Sequence, residues 1–297
     1  MNKVQKNAER GFSLIELLVV CLVLTVVLGG VFRIINHVMQ RSQAEQVKVD
    51  LTQQAREFVD EFERDVHQAG YPNCRMISTP GAATNCPPDY TNQLVLGNAS
   101  VAAGLVLVSN TEVIFEGDVD GDGVVDTVVY RLVDQNLNYP PATTCPCTIQ
   151  RSQMPKVALL PPLPAPQVAQ PTLFSQELQN VVNSGVVAGT TPYGTGLAIS
   201  GNTVWGQTNT AYYAAITTFK DFPVFTAYDQ NGTVIQLPLD LNTATGQANI
   251  PNIKSLRLTI NLLANAVTGT DQKTNLRQVE TLMGNVRLVN CGGQPCD

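Results

Sequence analysis

The segment Phe12–Phe32, FSLIELLVVCLVLTVVLGGVF, limits what this chain can fold into more than any other. It holds 21 residues and a single charge, Glu16. A helix that spans a bilayer needs about 20 such residues, so the run is long enough to cross one. Lys3, Lys6 and Arg10 against Glu9 leave the preceding leader net positive, which holds it on the cytoplasmic side. A cleaved secretory signal has a shorter apolar core followed by small residues at the cut. Here the flank reads RIINHVMQRSQAEQ from Arg33 to Gln46. An uncleaved single-pass anchor accounts for the length but not for Glu16. A carboxylate inside an apolar helix is costly and marks a functional position.

The helical signal continues well past the apolar run. Asn36 to Ala69 contains no proline or glycine. Val47, Leu51, Ala55, Phe58, Phe62, Val66 and Ala69 recur at three- and four-residue steps, one stripe on one face, with Glu57, Glu61 and Arg64 on the other. Gly70 and Pro72 end the pattern. A helix over Phe12–Ala69 would be about 87 Å long at 1.5 Å per residue. Beyond it the period shortens to that of strands, with candidates at Gln93–Leu96, Leu105–Ser109, Glu112–Glu116, Thr127–Val133, Val234–Leu237, Ser255–Leu262 and Arg277–Asn290. The expected fold class is α+β, an antiparallel sheet packed on the apolar stripe of one long helix. A low-charge insert, roughly 140–213, contains PKVALLPPLPAPQVAQP, whose prolines favour extended backbone. A short helix is expected near Phe174–Val182.

The residues RGFSLIELLVV, Arg10 to Val20, resemble the type III signal of type IV pilins and type II secretion pseudopilins. The resemblance implies that prepilin peptidase cuts after Gly11 and methylates the new amino terminus at Phe12. It also implies that Glu16, five residues into the mature chain, serves assembly. In a filament the Glu16 carboxylate of one subunit meets the Phe12 amine of a neighbour, since buried charges persist when paired. The chain then divides into a leader (1–11), a membrane and assembly half-stem (12–35), an amphipathic half-stem (36–69) and a β-rich head (70–297), the lollipop shape of a pilin. HQAGY at His67–Tyr71, VVYRLVDQNLNY at Val128–Tyr139 and the closing NVRLVN are similar to PilW-type minor pilins and the related J-type pseudopilins. The implied location is the inner membrane, single-pass with a periplasmic head, followed by incorporation into a surface pilus. The implied partners are major and minor pilins and the inner-membrane assembly platform. A type II secretion pseudopilin is the alternative, as is an adhesive calcium-binding tip subunit.

Two features of the head carry further chemistry. Cys74, Cys86, Cys145, Cys147, Cys291 and Cys296 all lie beyond the membrane run, which fits an oxidising compartment and up to three disulfides. Local pairing of Cys74 with Cys86 and Cys291 with Cys296 is the simplest arrangement, leaving Cys145 and Cys147 to each other or reduced. The second feature is EGDVDGDGVVDTVVY, with Asp118, Asp120, Asp122 and Asp126 around Gly123. Oxygen ligands at alternating positions with a glycine at the bend suit Ca2+. An EF-hand would place glutamate at the twelfth position, where Val129 stands, so the expectation is a short loop closed by Asp126. The other reading is a solvated Asp-Gly hairpin turn.

Several classes are excluded by what the sequence lacks. A net charge of −6 without a basic run argues against nucleic acid as the main partner. The two histidines, His37 and His67, sit apart on the stem, and Cys145-Pro-Cys147 lacks the second ligand pair of structural zinc. No phosphate-binding loop or nucleophile elbow occurs, so no enzymatic activity is expected.

Overall fold

The computed structural model describes residues 13–73, 99–134, 136–139, 141, 144–145, 147–157, 172–183, 198–199, 222–241, 243–263, 279–288, 290–291 and 294–295. Helix α1 spans Leu14–His67, 54 residues, or about 81 Å. Ser13 precedes it in extended backbone, and Glu16 lies in its first turn with Arg64 and His67 in its last. Acids near the amino end and bases near the carboxyl end both suit the helix dipole. Gly70 turns the chain out of the helix at φ +79°, a conformation for which glycine carries no Cβ penalty.

The helix has two different halves. Every residue from Ser13 to Gln43 is exposed, including the large apolar side chains from Leu14 to Met39. Downstream, Leu51, Ala55, Phe58, Phe62, Val66 and Ala69 are buried together with Val59, and Val47 packs at the margin. These are the expected stripe residues, so the stem itself supplies one wall of the core. Each fully buried phenylalanine contributes about 1.5–3 kcal/mol relative to exposure.

The other wall is a ten-stranded sheet whose pairings are all antiparallel. Its strands are β1 (Gly104–Val108), β2 (Glu112–Gly117), β3 (Asp126–Val133), β5 (Cys147–Pro155), β6 (Ser175–Val181), β8 (Phe225–Tyr228), β9 (Val234–Ile235), β10 (Leu239–Asp240), β11 (Ser255–Leu263) and β12 (Val279–Arg287). The order is β10-β1-β2-β3-β5-β6-β11-β8-β9. Strand β12 takes the other edge of β11 through nine residue pairs. Two-residue pairs link β4 (Thr144–Cys145) with β7 (Ala198–Ile199), and β13 (Asn290–Cys291) with β14 (Gln294–Pro295). A short helix, α2 (Ala244–Asn249), is capped by Thr243, whose hydroxyl accepts from the Gly246 N–H, and runs into a 3-10 turn at Ile250–Asn252.

One expectation needs correction: the Phe174–Val182 segment, within the 140–213 insert, forms strand β6 and not a helix. Strands β5 and β6 from that insert occupy the middle of the sheet, between β3 and β11. The reason is tertiary. The open edge of β3 pairs with β5 over eight positions, and β5 then offers its own edge to β6. Satisfying those backbone groups outweighs the weak strand propensity of SQELQNV. The expected strand at Gln93–Leu96 and most of the proline-rich stretch lie outside the described residues. Val234–Leu237 shortens to β9, and the remaining expected strands are present with ends shifted by up to three residues.

Close packing of sheet on stem depends on two glycines. A Cβ on Gly117 would lie 2.3 Å from the Gln68 carbonyl oxygen, and one on Gly284 would lie 2.7 Å from Val59 Cγ1. The first contact is with backbone, which cannot swing away.

Candidate functional site

Glu16 projects from the first turn of α1 and is exposed. Its backbone N–H donates to the Ser13 carbonyl at 3.0 Å. Gly11 and Phe12 lie outside the described residues. From Leu14 onward α1 is long and apolar enough to cross a membrane. A free cysteine, Cys21, is exposed on that half.

Stem and head are locked by polar groups set inside the apolar contact. Asp65 interrupts the buried stripe and is 1% exposed. Its Oδ2 accepts from the Tyr130 hydroxyl at 2.7 Å, from Arg151 Nη2 at 2.7 Å and from Arg151 Nε at 2.9 Å. Arg151 Nε also donates to the Tyr130 oxygen at 3.0 Å, and Glu61 lies 3.5 Å from the guanidinium. Phe58 and Phe62 meet the Tyr130 ring edge-on. Burial pushes the Tyr130 hydroxyl well up, and the Asp65 charge pushes the same way. Burial alone would lower Arg151, but Tyr130 and Asp65 outweigh it and the guanidinium stays charged. Glu61 is raised by burial, then by Glu177.

The acidic loop is the hairpin connection between β2 and β3, and it sits at the end of the stem. Gly70 N–H donates to the Glu116 carbonyl and Asp118 N–H to the Tyr71 carbonyl, each at 2.8 Å. Gly121 and Gly123 take φ of +77° and +85°, which lets the loop fold back on itself. Asp118 accepts from the Gly121 and Gly123 N–H groups, Asp120 from Asp122 and Asp122 from Val124. One oxygen from each of Asp118, Asp120 and Asp122 falls within a set whose members lie within 4.8 Å of one another.

Asp126 lies outside that set. It is the first residue of β3, buried, and accepts from Gln153 Nε2 at 2.8 Å. The same Nε2 lies 3.3 Å from Asp120 Oδ2, and Gln153 Oε1 accepts from Arg151 Nη2 at 3.0 Å. A hydrogen-bonded line therefore runs from the stem carboxylate Asp65 through Arg151 and Gln153 to the acidic loop. Burial raises the Asp126 carboxyl; Gln153 opposes this, and the neighbouring aspartates reinforce it.

Behind the loop, Lys156 Nζ donates to Glu116 Oε2 at 2.6 Å and to the Val101 carbonyl at 2.7 Å, with both side chains buried. His37 and His67 are exposed on the stem. Cys147 is buried and disulfide-bonded. Cys74, Cys86 and Cys296 and the side chains of Cys145 and Cys291 lie outside the described residues. Sequence reasoning missed Asp65, Tyr130, Arg151 and Gln153. The available signal was Asp65 itself, a charge one step from Val66 on the face that carries Phe58, Phe62 and Ala69.

An exposed apolar half-stem that becomes the core helix of an antiparallel head is consistent with a pilin-like α+β fold. A family model, the prokaryotic N-terminal methylation motif, matches residues 6–32. That match spans the expected cleavage position, Glu16 and the apolar run. It indicates a type IV pilin-like or pseudopilin protein processed by prepilin peptidase, a structural rather than catalytic class. No curated protein and no solved structure matches the chain.

Proposed function

We propose that this chain is a PilW-type minor pilin, which joins other pilins through its stem at the inner membrane and primes or caps a type IV pilus. The observation that carries the reading is the methylation motif placed on an exposed apolar half-stem bearing Glu16. A polar-locked head whose main sheet has ten strands among the described residues, on the same helix, suits a specialised subunit. Local disulfides Cys74–Cys86 and Cys291–Cys296 belong to the same proposal. Deleting the gene should abolish or sharply reduce surface pili, and immunogold labelling of complemented cells should mark filament ends sparsely. Normal piliation with loss of secreted enzymes would replace this reading with the type II secretion pseudopilin.

The acidic hairpin adds a second element to the proposal, a Ca2+ site. Asp118, Asp120 and Asp122 supply oxygens close enough to share one hard cation. Asp126, which accepts from Gln153 through Oδ2 alone, keeps Oδ1 for the shell in this proposal. A ligand that binds the folded state alone stabilises it by about 2.7 kcal/mol at a hundredfold excess over Kd. Calcium should therefore raise the melting temperature of the detergent-solubilised chain, chelator should lower it, and Asp118→Ala/Asp122→Ala should remove the response. Magnesium should do less, because it demands tighter octahedral geometry. Identical melting in calcium and in chelator would reduce the loop to a capped acidic turn.

A further inference from the structure

Strand register locates a second polar surface at the far end of the head. Leu262 of β11 pairs with Val181 of β6, the strand that faces Val47–Gln54 of the stem across a groove. Leu258 pairs with Phe225, which packs on Phe62. Ser255 and Tyr228 come last in this progression, toward the carboxyl end of the stem and away from its membrane half.

There the β8–β9 turn, α2 and the 3-10 turn enclose an open cleft of about 430 Å³. Asp229, Gln230, Asn231, Asn249, Asn252 and Lys254 line it, with Ile235 and Pro251 as its apolar part. Asp229 Oδ1 accepts from the N–H groups of Asn231 at 2.8 Å and Thr233 at 2.7 Å. That fixes the turn and leaves Oδ2 without a partner among the described residues. Asn249 Nδ2 donates to the Thr245 carbonyl at 2.8 Å, and Asn252 Nδ2 to the Ala248 carbonyl at 3.2 Å. Both amides are thereby oriented, and their oxygens remain available as acceptors. Among the described residues the side chains of Gln230 and Asn231 and the Lys254 ammonium make no hydrogen bond.

The chemistry of the lining narrows the ligand. One acid and one base leave the cleft without net charge, so an anion would meet Lys254 opposed by Asp229. An apolar ligand would strand four amides, an unfavourable exchange for each. A row of hydroxyl groups suits it, because each can donate to a carbonyl or carboxylate and accept from an amide or ammonium. The volume falls in the roughly 300–1,000 Å³ range of small-ligand sites, with room for a mono- or disaccharide unit. We propose that this cleft binds a neutral saccharide, the exposed unit of a larger glycan. The proposal rests on neither the acidic hairpin nor the pilus assignment.

The test uses the full-length chain in an amine-oxide detergent, which carries no sugar headgroup. The chain is applied to an array of neutral, sialylated and sulfated glycans, and a retained glycan is titrated by calorimetry. Retention of neutral glycans is expected, with affinity falling at least tenfold in Gln230→Ala/Asn252→Ala and melting unchanged. Should that pair disturb folding, Asn231→Ala on the exposed turn gives the same comparison. Glu177→Gln, in the separate stem groove, should bind as wild type. Retention of no neutral glycan overturns the proposal. So does retention of acidic glycans alone, lost in Lys254→Met, and so does binding that survives the cleft substitutions.

Discussion

Gly11→Leu leaves the leader attached and the protein stranded in the membrane, whereas Glu16→Ala permits cleavage yet keeps the processed chain out of filaments. These are the largest effects expected of single changes. They separate because the residues act at different steps. The pilin resemblance implies that Gly11 sits at the bond to be cut, where a bulky residue would block the peptidase. Glu16 stands in the first exposed turn of α1, surrounded by apolar side chains that will be buried once stems bundle. A carboxylate entering that surrounding without a partner amine is strongly opposed. Breaking a buried pair costs about 3–5 kcal/mol, two orders of magnitude or more in an assembly equilibrium. Immunoblots of whole cells and sheared filaments report both steps, since loss of the leader shifts mobility. Finding both variants in filaments at the wild-type level would sink the assembly role of this signal.

The second large effect is on stability and lies at Arg151. Arg151→Met keeps much of the aliphatic stem but removes the charge that faces Asp65. Asp65 would then be buried with only the Tyr130 hydroxyl and a 3.7 Å approach from Arg64 to offset it. Loss of one member of a buried pair costs about 3–5 kcal/mol, which for a domain of this size lowers melting by on the order of 10 °C. Arg151→Lys should recover only part of this, because the ammonium cannot reproduce two parallel donors from one planar group. Asp65→Asn/Arg151→Met should lose less than the sum of the single changes, since neither charge is left behind. Circular dichroism melts of the detergent-solubilised chain measure these three variants together with the Asp65→Asn single change. Arg151→Met melting within a degree or two of wild type would mean the pair is too well hydrated to matter.

The stem was legible in the sequence because its pattern is local. Three- and four-residue steps from Val47 to Ala69 are a property of helix geometry, and the same residues form the buried face. Strands β1, β2 and β3 were legible for a related reason, being short apolar runs bounded by turn residues. Strand β5 was not. CTIQRSQMP looks like a polar loop because Arg151 and Gln153 face the stem and acidic hairpin, where partners distant in sequence satisfy them. Strand β6 takes its conformation from β5 and was hidden for the same reason. At the acidic loop, spacing alone identified Asp118, Asp120 and Asp122 as neighbours. The hydrogen bond from Gln153 to Asp126 was not legible, because it forms only once β5 pairs with β3.

The buried face of α1 also bears on how far such a protein is modular. A foreign stem placed beneath this head would have to carry an aspartate at position 65, aromatic rings at 58 and 62, and a small side chain at 69. Any soluble version that begins at Gly70 discards one wall of its own interior. Stem and head thus form one packing unit. The exposed half before Gln43 can change to suit a filament, while the half beyond Val47 must change in step with the sheet that grips it.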